Sequence, residues 1–161
     1  TNTLREQITL IEDELNRRVQ ELDSPLLSLG ISSILAAAIH AESDPIADFA
    51  CADQYVAYAG LDPSIHDSGD TLHRRGKISK RGSPVLRHSL YLAAFVVYRK
   101  HNYFQRIYSK HRGKGKGHRN ALVIVTRHLA RVIWRLLTDD RPFTKRPPKI
   151  TIRSRKQHSN A

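Results

Sequence analysis

The sequence contains one cysteine, no methionine and no long apolar run. A single cysteine in 161 residues excludes an internal disulfide framework and indicates a reducing, cytoplasmic environment. Cys51 lies in the apolar run 49–52, which predicts a buried and unreactive thiol. The apolar stretches are too short and too interrupted to span a bilayer, and there is no signal peptide, so no membrane contact is expected. Because no methionine is present and threonine comes first, we expect a processed or truncated product.

Acidic residues are scarce in the second half of the chain. Residues 1–69 carry 3 Lys/Arg and 12 Asp/Glu, whereas residues 70–161 carry 24 Lys/Arg and 3 Asp/Glu. A segment this basic repels itself unless an anion compensates its charge. Nucleic acid is the commonest such partner, and a solubilising basic surface is the alternative.

Closely spaced metal ligands are also missing. Neighbouring histidines are at least seven residues apart, as at 66–73 and 111–118, whereas zinc ligands usually come in tighter pairs. Asp62, Asp67 and Asp70 suit either Mg²⁺ coordination or the simpler role of turn capping. We therefore predict no metal site and no cofactor in this chain.

The hydrophobic periodicity predicts an all-α, multi-helix fold. A helix over 3–23 carries a near-heptad apolar seam, which either packs on its own domain or pairs two protomers as a short coiled coil. The seam consists of Leu4, Ile8, Ile11, Leu15, Val19 and Leu22. Further helices are predicted within 26–42, where Gly30 marks a turn between two of them, and over 53–59, 83–100, 103–112 and 119–138.

Three regions follow from this pattern. Residues 1–24 form a coiled-coil-like linker helix, and residues 25–140 form a helical domain with a central irregular loop over 61–82. Residues 141–161 are rich in proline, lysine and arginine, which is typical of a flexible basic tail.

A candidate nucleophile lies in the central loop. Ser68 is flanked by Asp67 and Gly69, and a serine attacks a phosphodiester only if positive charge lies near the phosphate oxygens. The residues that supply this charge follow closely: Arg74, Arg75, Lys77, Lys80 and Arg81. An Asp-Ser-Gly-Asp sequence is equally an ordinary turn, so the motif by itself leaves both roles open.

Other cations are candidates for binding the nucleic-acid backbone. Lys114 and Lys116 lie in a glycine-rich segment over 113–117, which predicts a mobile loop that grips phosphates. A row of arginines four residues apart shares one face of the last helix, where it either binds nucleic acid or is a solvated face. The DNA-binding set is completed by this row and one helical residue: Arg127, Arg131, Arg135 and Arg87.

Four segments together resemble the C-terminal domain of the "one-hundred-and-ten" insertion-sequence transposase family, which includes the Piv-type DNA invertases. The segments are YVAYAGLDP over 55–63, DSGD over 67–70, RGKISKRGS over 75–83 and LRHSLYLAA over 86–94. With the flanking helices, the resemblance covers roughly residues 1–143. The combined pattern is far more specific than any of its pieces.

The resemblance implies a DNA transposition and recombination enzyme with a serine nucleophile at Ser68. It implies an N-terminal RuvC-like nuclease domain whose acidic residues hold Mg²⁺, a coiled-coil linker, and a helical domain that forms a phosphoserine link with DNA. Some members use a guide RNA, and they act as dimers or tetramers, so a homo-oligomer formed through the N-terminal helix is expected.

Two departures from the family pattern stand out. The family hairpin reads Pro-Gly-Ile-Gly, whereas residues 29–32 read Leu-Gly-Ile-Ser. No RuvC-like half is present in these residues, and two-metal activation of a phosphate needs its ligands. We therefore expect a recombinase fragment that needs this domain as a partner. The alternatives are an inactive, truncated nucleic-acid-binding relic and a ribosome-associated basic protein.

Overall fold

The computed structural model describes residues 2–65 and 75–144, without the side chains of residues 64, 65 and 75–77. Within these residues the fold is all-α, as predicted, with α1 (Asn2–Glu21), α2 (Ser33–Ser43), α3 (Ala52–Tyr58), α4 (Pro84–Lys100), α5 (Asn102–Gly113) and α6 (His118–Asp139). Short 3₁₀ helices at Pro25–Leu29 and Ile46–Asp48 join α1 to α2 and α2 to α3. None of the described helices is both long and apolar enough to cross a membrane.

The helix starts follow from local capping chemistry. Ser83 precedes α4, and its Oγ accepts a hydrogen bond from the Leu86 amide at 3.0 Å, while Pro84 occupies the first turn. Ser32 caps α2 in the same way through the Leu35 amide. Gly30 has a φ of 70° and ends the first 3₁₀ helix, which confirms the predicted turn between two helices.

The core is organised around α4, which packs against α2, α5 and α6. Since α4 has neighbours on several sides, its buried residues do not lie along one narrow stripe. Phe104 from α5 and Tyr55 from α3 are also fully buried. The α4 and α6 residues that form most of the core are Leu86, Leu90, Ala93, Ala94, Val97, Leu122, Val125, Leu129 and Ile133. Burial of each large side chain stabilises the fold by roughly 1.5–3 kcal/mol.

The first helix has little cover from the rest of the chain. Val19 is its only buried residue among those described, and α1 contacts α2 near its end. Leu4, Ile8, Ile11 and Leu22 of the predicted seam are each more than half exposed. The structure therefore does not show this seam packed on its own domain.

The central segment differs from the irregular loop predicted over 61–82. Pro63–Ile65 (β1) and Arg75–Ile78 (β2) pair as an antiparallel ribbon, with Pro63 opposite Ile78 and Ile65 opposite Arg75. The strands are too short to show an alternating pattern, and their pairing spans nine intervening residues. Sequence periodicity has no signal for such a contact.

The prediction for Cys51 was wrong, because its side chain is exposed. The run 49–52 is apolar but not helical: Cys51 has an extended backbone and precedes α3, whose first residue is Ala52. Its neighbour Phe49 is the residue that turns inward, with its ring 5.2 Å from the Tyr55 ring. Phe49 is half-buried whereas Ala50 and Cys51 are exposed, so a short apolar run before a helix does not bury all of its side chains.

The start of the predicted basic tail is packed against the core. The Phe143 ring lies 4.9 Å from the His101 ring and 5.9 Å from the Phe104 ring. Its amide donates a hydrogen bond to Ser28 Oγ. Residues 145–161 lie outside the described residues.

Candidate nucleic-acid interface

The two-stranded ribbon holds both ends of the segment that contains the predicted nucleophile. Residues 66–74 connect β1 to β2, and this connection includes Ser68 and Arg74. Both residues lie outside the described part of the chain, so the structure reports only where their segment begins and ends. The backbones of Arg75 and Lys77 belong to β2, and their side chains are not described.

Asp62 and Ser79 bind each other at the ribbon base, which consists of residues 60–62 and 79–83. The Ser79 amide donates to the Asp62 carbonyl at 2.8 Å, and Ser79 Oγ donates to Asp62 Oδ1. This contact joins residues 17 apart across the ribbon, so it differs from the local turn capping that the sequence offered for Asp62 beside metal binding. Within residues 2–65 and 75–144, His, Cys, Asp and Glu side chains form no group of three or more that could hold a metal ion.

Two glycines fit the ribbon base closely against the end of α3. Gly82 has a φ of 118°, and a Cβ at this position would lie 1.9 Å from the Tyr58 carbonyl oxygen. Gly60 has a φ of 64°, and its Cβ would lie 2.6 Å from the Arg81 carbonyl oxygen. The Ser83 amide donates to the Tyr58 carbonyl at 2.9 Å. Only glycine allows this approach of two backbones, so 79–83 is held against α3.

Three predicted DNA-binding cations lie around this base. Lys80 and Arg81 are exposed, and Lys80 has a left-handed backbone with a φ of 55°. Arg87 is half-buried, and its Nη1 donates to the Ala59 carbonyl at 3.2 Å. Its guanidinium also lies over Gly60, where a Cβ would meet Nη1 at 2.7 Å. Arg87 therefore supports the end of α3, a role that sequence reasoning did not find.

The loop between α5 and α6 presents a second group of cations. Lys114 and Lys116 are both exposed. Arg112 Nη1 donates to the Lys116 carbonyl at 2.9 Å, which closes the loop on the end of α5. The ammonium groups of both lysines therefore face solvent.

The arginine row on α6 is partly engaged within the protein. Arg131 Nη2 lies 3.0 Å from Asp53 Oδ1 of α3, and Arg135 Nε lies 2.7 Å from Asp139 Oδ2. Arg127 is half-buried. The shared face predicted from the four-residue spacing is present, but Arg131 and Arg135 already have carboxylate partners.

Positive charge in this region comes from lysine and arginine at neutral pH. Burial lowers the pKa of His128, and the nearby cations Arg131 and Arg127 lower it further. Burial, Lys114 and Lys116 likewise lower the pKa of His111. Both imidazoles are therefore biased toward their neutral form.

Carboxylates are absent from the whole stretch 71–138, which holds 17 Lys/Arg. The described helices α4 and α5, and α6 up to Thr138, consequently have no acidic side chain of their own to balance their cations. Arg131 pairs with Asp53 and Arg135 pairs with Asp139, and both carboxylates lie outside the stretch 71–138. This leaves a surplus of positive charge that suits a polyanion.

Comparison with known proteins gives the chain's relationships. Residues 26–109 match the model of the Transposase IS116/IS110/IS902 family. The chain is 30% identical to the pilin gene-inverting protein of Moraxella lacunata over 99 residues, which is 61% of this chain and 31% of that protein. It is 30% identical over 122 residues to a 44.8 kDa protein of insertion element IS116 from Streptomyces clavuligerus, covering 74% of this chain and 30% of the relative.

A third relative agrees with these two. The chain is 31% identical over 131 residues to a 42 kDa protein of insertion element IS900 from Mycobacterium paratuberculosis, covering 79% of this chain and 32% of the relative. In each case the chain spans about a third of the length of the curated relative.

Proposed function

This chain belongs to the IS116/IS110/IS902 family of transposases, and from that premise we propose that it is the DNA-handling part of a recombinase in which Ser68 cleaves and exchanges strands. The observation that carries the proposal is the ribbon: β1 and β2 carry the segment with Ser68, and their base is held against the end of α3, where Lys80 and Arg81 are exposed. The pilin gene-inverting relative, whose name describes a DNA inversion, supports the same role.

The proposed reaction conserves the phosphodiester energy. Ser68 Oγ attacks a backbone phosphorus, its proton passes to a base, and the bond from phosphorus to one strand oxygen breaks. That oxygen takes a proton and leaves as a hydroxyl, while the phosphate remains esterified to serine. A hydroxyl from another strand then displaces serine, which restores a phosphodiester without an external energy source.

The cations have two proposed tasks. Those after Ser68 stabilise the charge on the attacked phosphate: Arg74, Arg75, Lys77, Lys80 and Arg81. Those on the helical domain hold the backbone of DNA or of a guide RNA: Arg87, Lys114, Lys116, Arg127, Arg131 and Arg135. For Arg87, Arg131 and Arg135 this means exchanging an existing protein contact for a phosphate, so Lys114 and Lys116 are the simplest contacts of this set.

Metal chemistry is assigned to a different domain. Following the resemblance to this transposase family, we place Mg²⁺ in a RuvC-like domain, in cis or from another protomer, in a cytoplasmic complex. There it would polarise the phosphate. The role of this chain is then to bind the strand, orient it and supply the nucleophile.

The exposed seam of α1 supports a homo-oligomer. Ile8 and Ile11 are 54% and 61% exposed, and in proteins most of a helix's stability comes from the packing of its apolar face. Pairing two such seams removes them from solvent as in a coiled coil. Ile8→Glu should shift the sedimentation equilibrium toward monomer, whereas Gln7→Glu adds the same charge beside the seam and should not. Equal masses for both variants would refute pairing through α1.

Covalent trapping tests the nucleophile. The chain, assembled with its RuvC-like domain and Mg²⁺, is incubated with a nicked DNA substrate and resolved under denaturing conditions. The parent should form a protein–DNA adduct that Ser68→Ala abolishes, while Thr71→Val, a hydroxyl deletion in the same segment, retains it. An adduct with Ser68→Ala refutes the assignment. DNA binding by the parent without any adduct supports the relic alternative.

A further inference from the structure

One corner of the helical domain carries a group of aromatic rings that extends from the edge of the core to the surface. The aromatic cluster consists of Phe95 and Tyr98 on α4, Tyr108 on α5 and His118 at the start of α6. The centroid of Tyr98 lies 5.9 Å from that of Phe95 and 4.6 Å from that of Tyr108. His118 lies 5.6 Å from Tyr108 and 6.3 Å from Phe95, which completes a continuous patch.

The four rings divide into an inner and an outer pair. Tyr98 and Tyr108 pack against the core with part of their surface exposed. Phe95 is 36% exposed and His118 is also exposed. The inner pair therefore fixes the position of the outer pair, whose rings remain available to a ligand.

The guanidinium of Arg99 lies over the rings of this patch. Arg99 Cζ lies 4.1 Å from the centroid of the Phe95 ring and 5.5 Å from that of Tyr98. Its Nε donates to Tyr98 Oη at 3.1 Å. Planar guanidinium groups and aromatic rings are the two surfaces on which proteins stack nucleobases.

A hydrogen bond within the aromatic cluster joins the two ends of a cationic segment of the chain. Tyr108 Oη and His118 Nδ1 are 2.6 Å apart, and this hydrogen bond ties together the two ends of 109–117. That segment holds Lys110, Arg112, Lys114 and Lys116 and no carboxylate. Stacking surfaces therefore lie beside charges that suit backbone phosphates.

We propose that the aromatic cluster and the 109–117 segment form a binding site for single-stranded DNA, in which unpaired bases stack on Phe95 and Arg99 while the lysines hold the phosphates. A duplex hides its base faces within its own stack, so an exposed aromatic patch contributes to binding only where bases are unpaired. The inference rests on the proposed function, because strand exchange creates such unpaired segments.

The test compares three probes by fluorescence anisotropy with the full chain: an oligo(dT) strand, a DNA duplex with the same number of phosphates, and oligo(U). The parent should bind oligo(dT) more tightly than the duplex. Phe95→Leu, which keeps apolar volume but removes the ring, should weaken oligo(dT) binding roughly 5- to 150-fold, the range for loss of one stacked base. Duplex binding should change less than about twofold, since phosphate contacts remain.

Two further variants separate stacking from folding. Leu92→Ala removes an apolar side chain that is 41% exposed on the same helix, and it should leave both affinities unchanged. Phe95→Trp keeps a stacking ring and should retain oligo(dT) binding even where Phe95→Leu unfolds. Equal losses for strand and duplex, no loss with Phe95→Leu, loss of oligo(dT) binding with Phe95→Trp, or binding of oligo(U) without oligo(dT) would overturn the proposal.

The outcome is independent of Ser68. Ser68→Ala should bind oligo(dT) like the parent, because the measurement involves no cleavage. If Phe95→Leu leaves oligo(dT) binding unchanged while the Ser68 adduct forms, only this site is refuted. If oligo(dT) binding depends on Phe95 but Ser68→Ala still forms the adduct, only the nucleophile is refuted.

Discussion

The close approach of Gly82 to α3 makes Gly82→Ala the most informative single substitution. A Cβ at position 82 would lie 1.9 Å from the Tyr58 carbonyl oxygen. No side-chain rotation relieves this overlap, because the backbone fixes the position of a Cβ and the oxygen is itself a backbone atom. The φ of 118° adds a conformational cost for any residue other than glycine. The backbone must therefore move, and the Ser83 amide bond to the same carbonyl lengthens.

The expected loss in the free energy of unfolding is the sum of the backbone strain and the weakened hydrogen bond. A non-glycine residue in a sparsely populated region costs about 1–3 kcal/mol. A weakened backbone hydrogen bond costs about 1 kcal/mol more. The free energy of unfolding should therefore fall by about 2–4 kcal/mol, and at about 2–4 °C per kcal/mol for a chain of this size, Tm should fall by roughly 4–16 °C.

Gly113→Ala is the matched control, assayed in parallel by thermal unfolding followed by circular dichroism. Gly113 is the last residue of α5, has no positive φ, and has no atom within 4 Å of an added Cβ. Alanine there should leave Tm unchanged or raise it slightly, because it reduces the entropy of the unfolded chain. If Gly82→Ala unfolds within about 1 °C of the parent, the packing of the ribbon base against α3 is wrong.

Three other predictions test the core, a buried base and the charged surface. Tyr55→Phe removes the 2.7 Å hydrogen bond to Ser43 Oγ and should lower the free energy of unfolding by about 0.5–1.5 kcal/mol in urea titrations; an unchanged midpoint would contradict this. Burial lowers the pKa of His128, so the unfolded state takes up a proton before the folded state does as pH falls below about 6.5. Tm should therefore decline on acidification, and it should decline less steeply in His128→Asn. Identical slopes of Tm against pH for the two proteins would count against this. Lys114→Gln should reduce the slope of log affinity for duplex DNA against log salt by about 0.9, and Arg135→Gln by less because Asp139 lies 2.7 Å from Arg135 Nε; equal reductions would show that Arg135 binds phosphate directly.

Most helix positions were readable from the sequence, because each has a local signal. The predicted helix over 83–100 corresponds to α4, which Ser83 caps, and Gly30 lies at the predicted turn. The predicted helices over 103–112 and 119–138 correspond to α5 and α6 within one residue at each end. Capping residues, proline, glycine and periodic apolar positions act within a few residues of themselves, so the sequence alone records them.

The candidate site was only partly predictable. The sequence indicated the cations and their excess over carboxylates, since charge is a property of composition. It did not indicate that Arg87 supports Ala59, or that Arg131 pairs with Asp53 across 78 residues. Whether a cation is available to a phosphate depends on which distant carboxylate or carbonyl the fold brings beside it.

The sequence by itself determined that the protein is helical and basic, and to which family it belongs. Periodicity, capping and motif order involve residues that are close in the chain, so the order of the amino acids records them directly. Only the tertiary structure decided that β1 and β2 pair, that Cys51 is exposed, and that Phe95 gathers with rings from two other helices into one patch. The physical reason is that each of these depends on contacts between residues far apart in the chain or on the direction of a side chain at a helix boundary. Neither property has a repeating signature in the order of the amino acids.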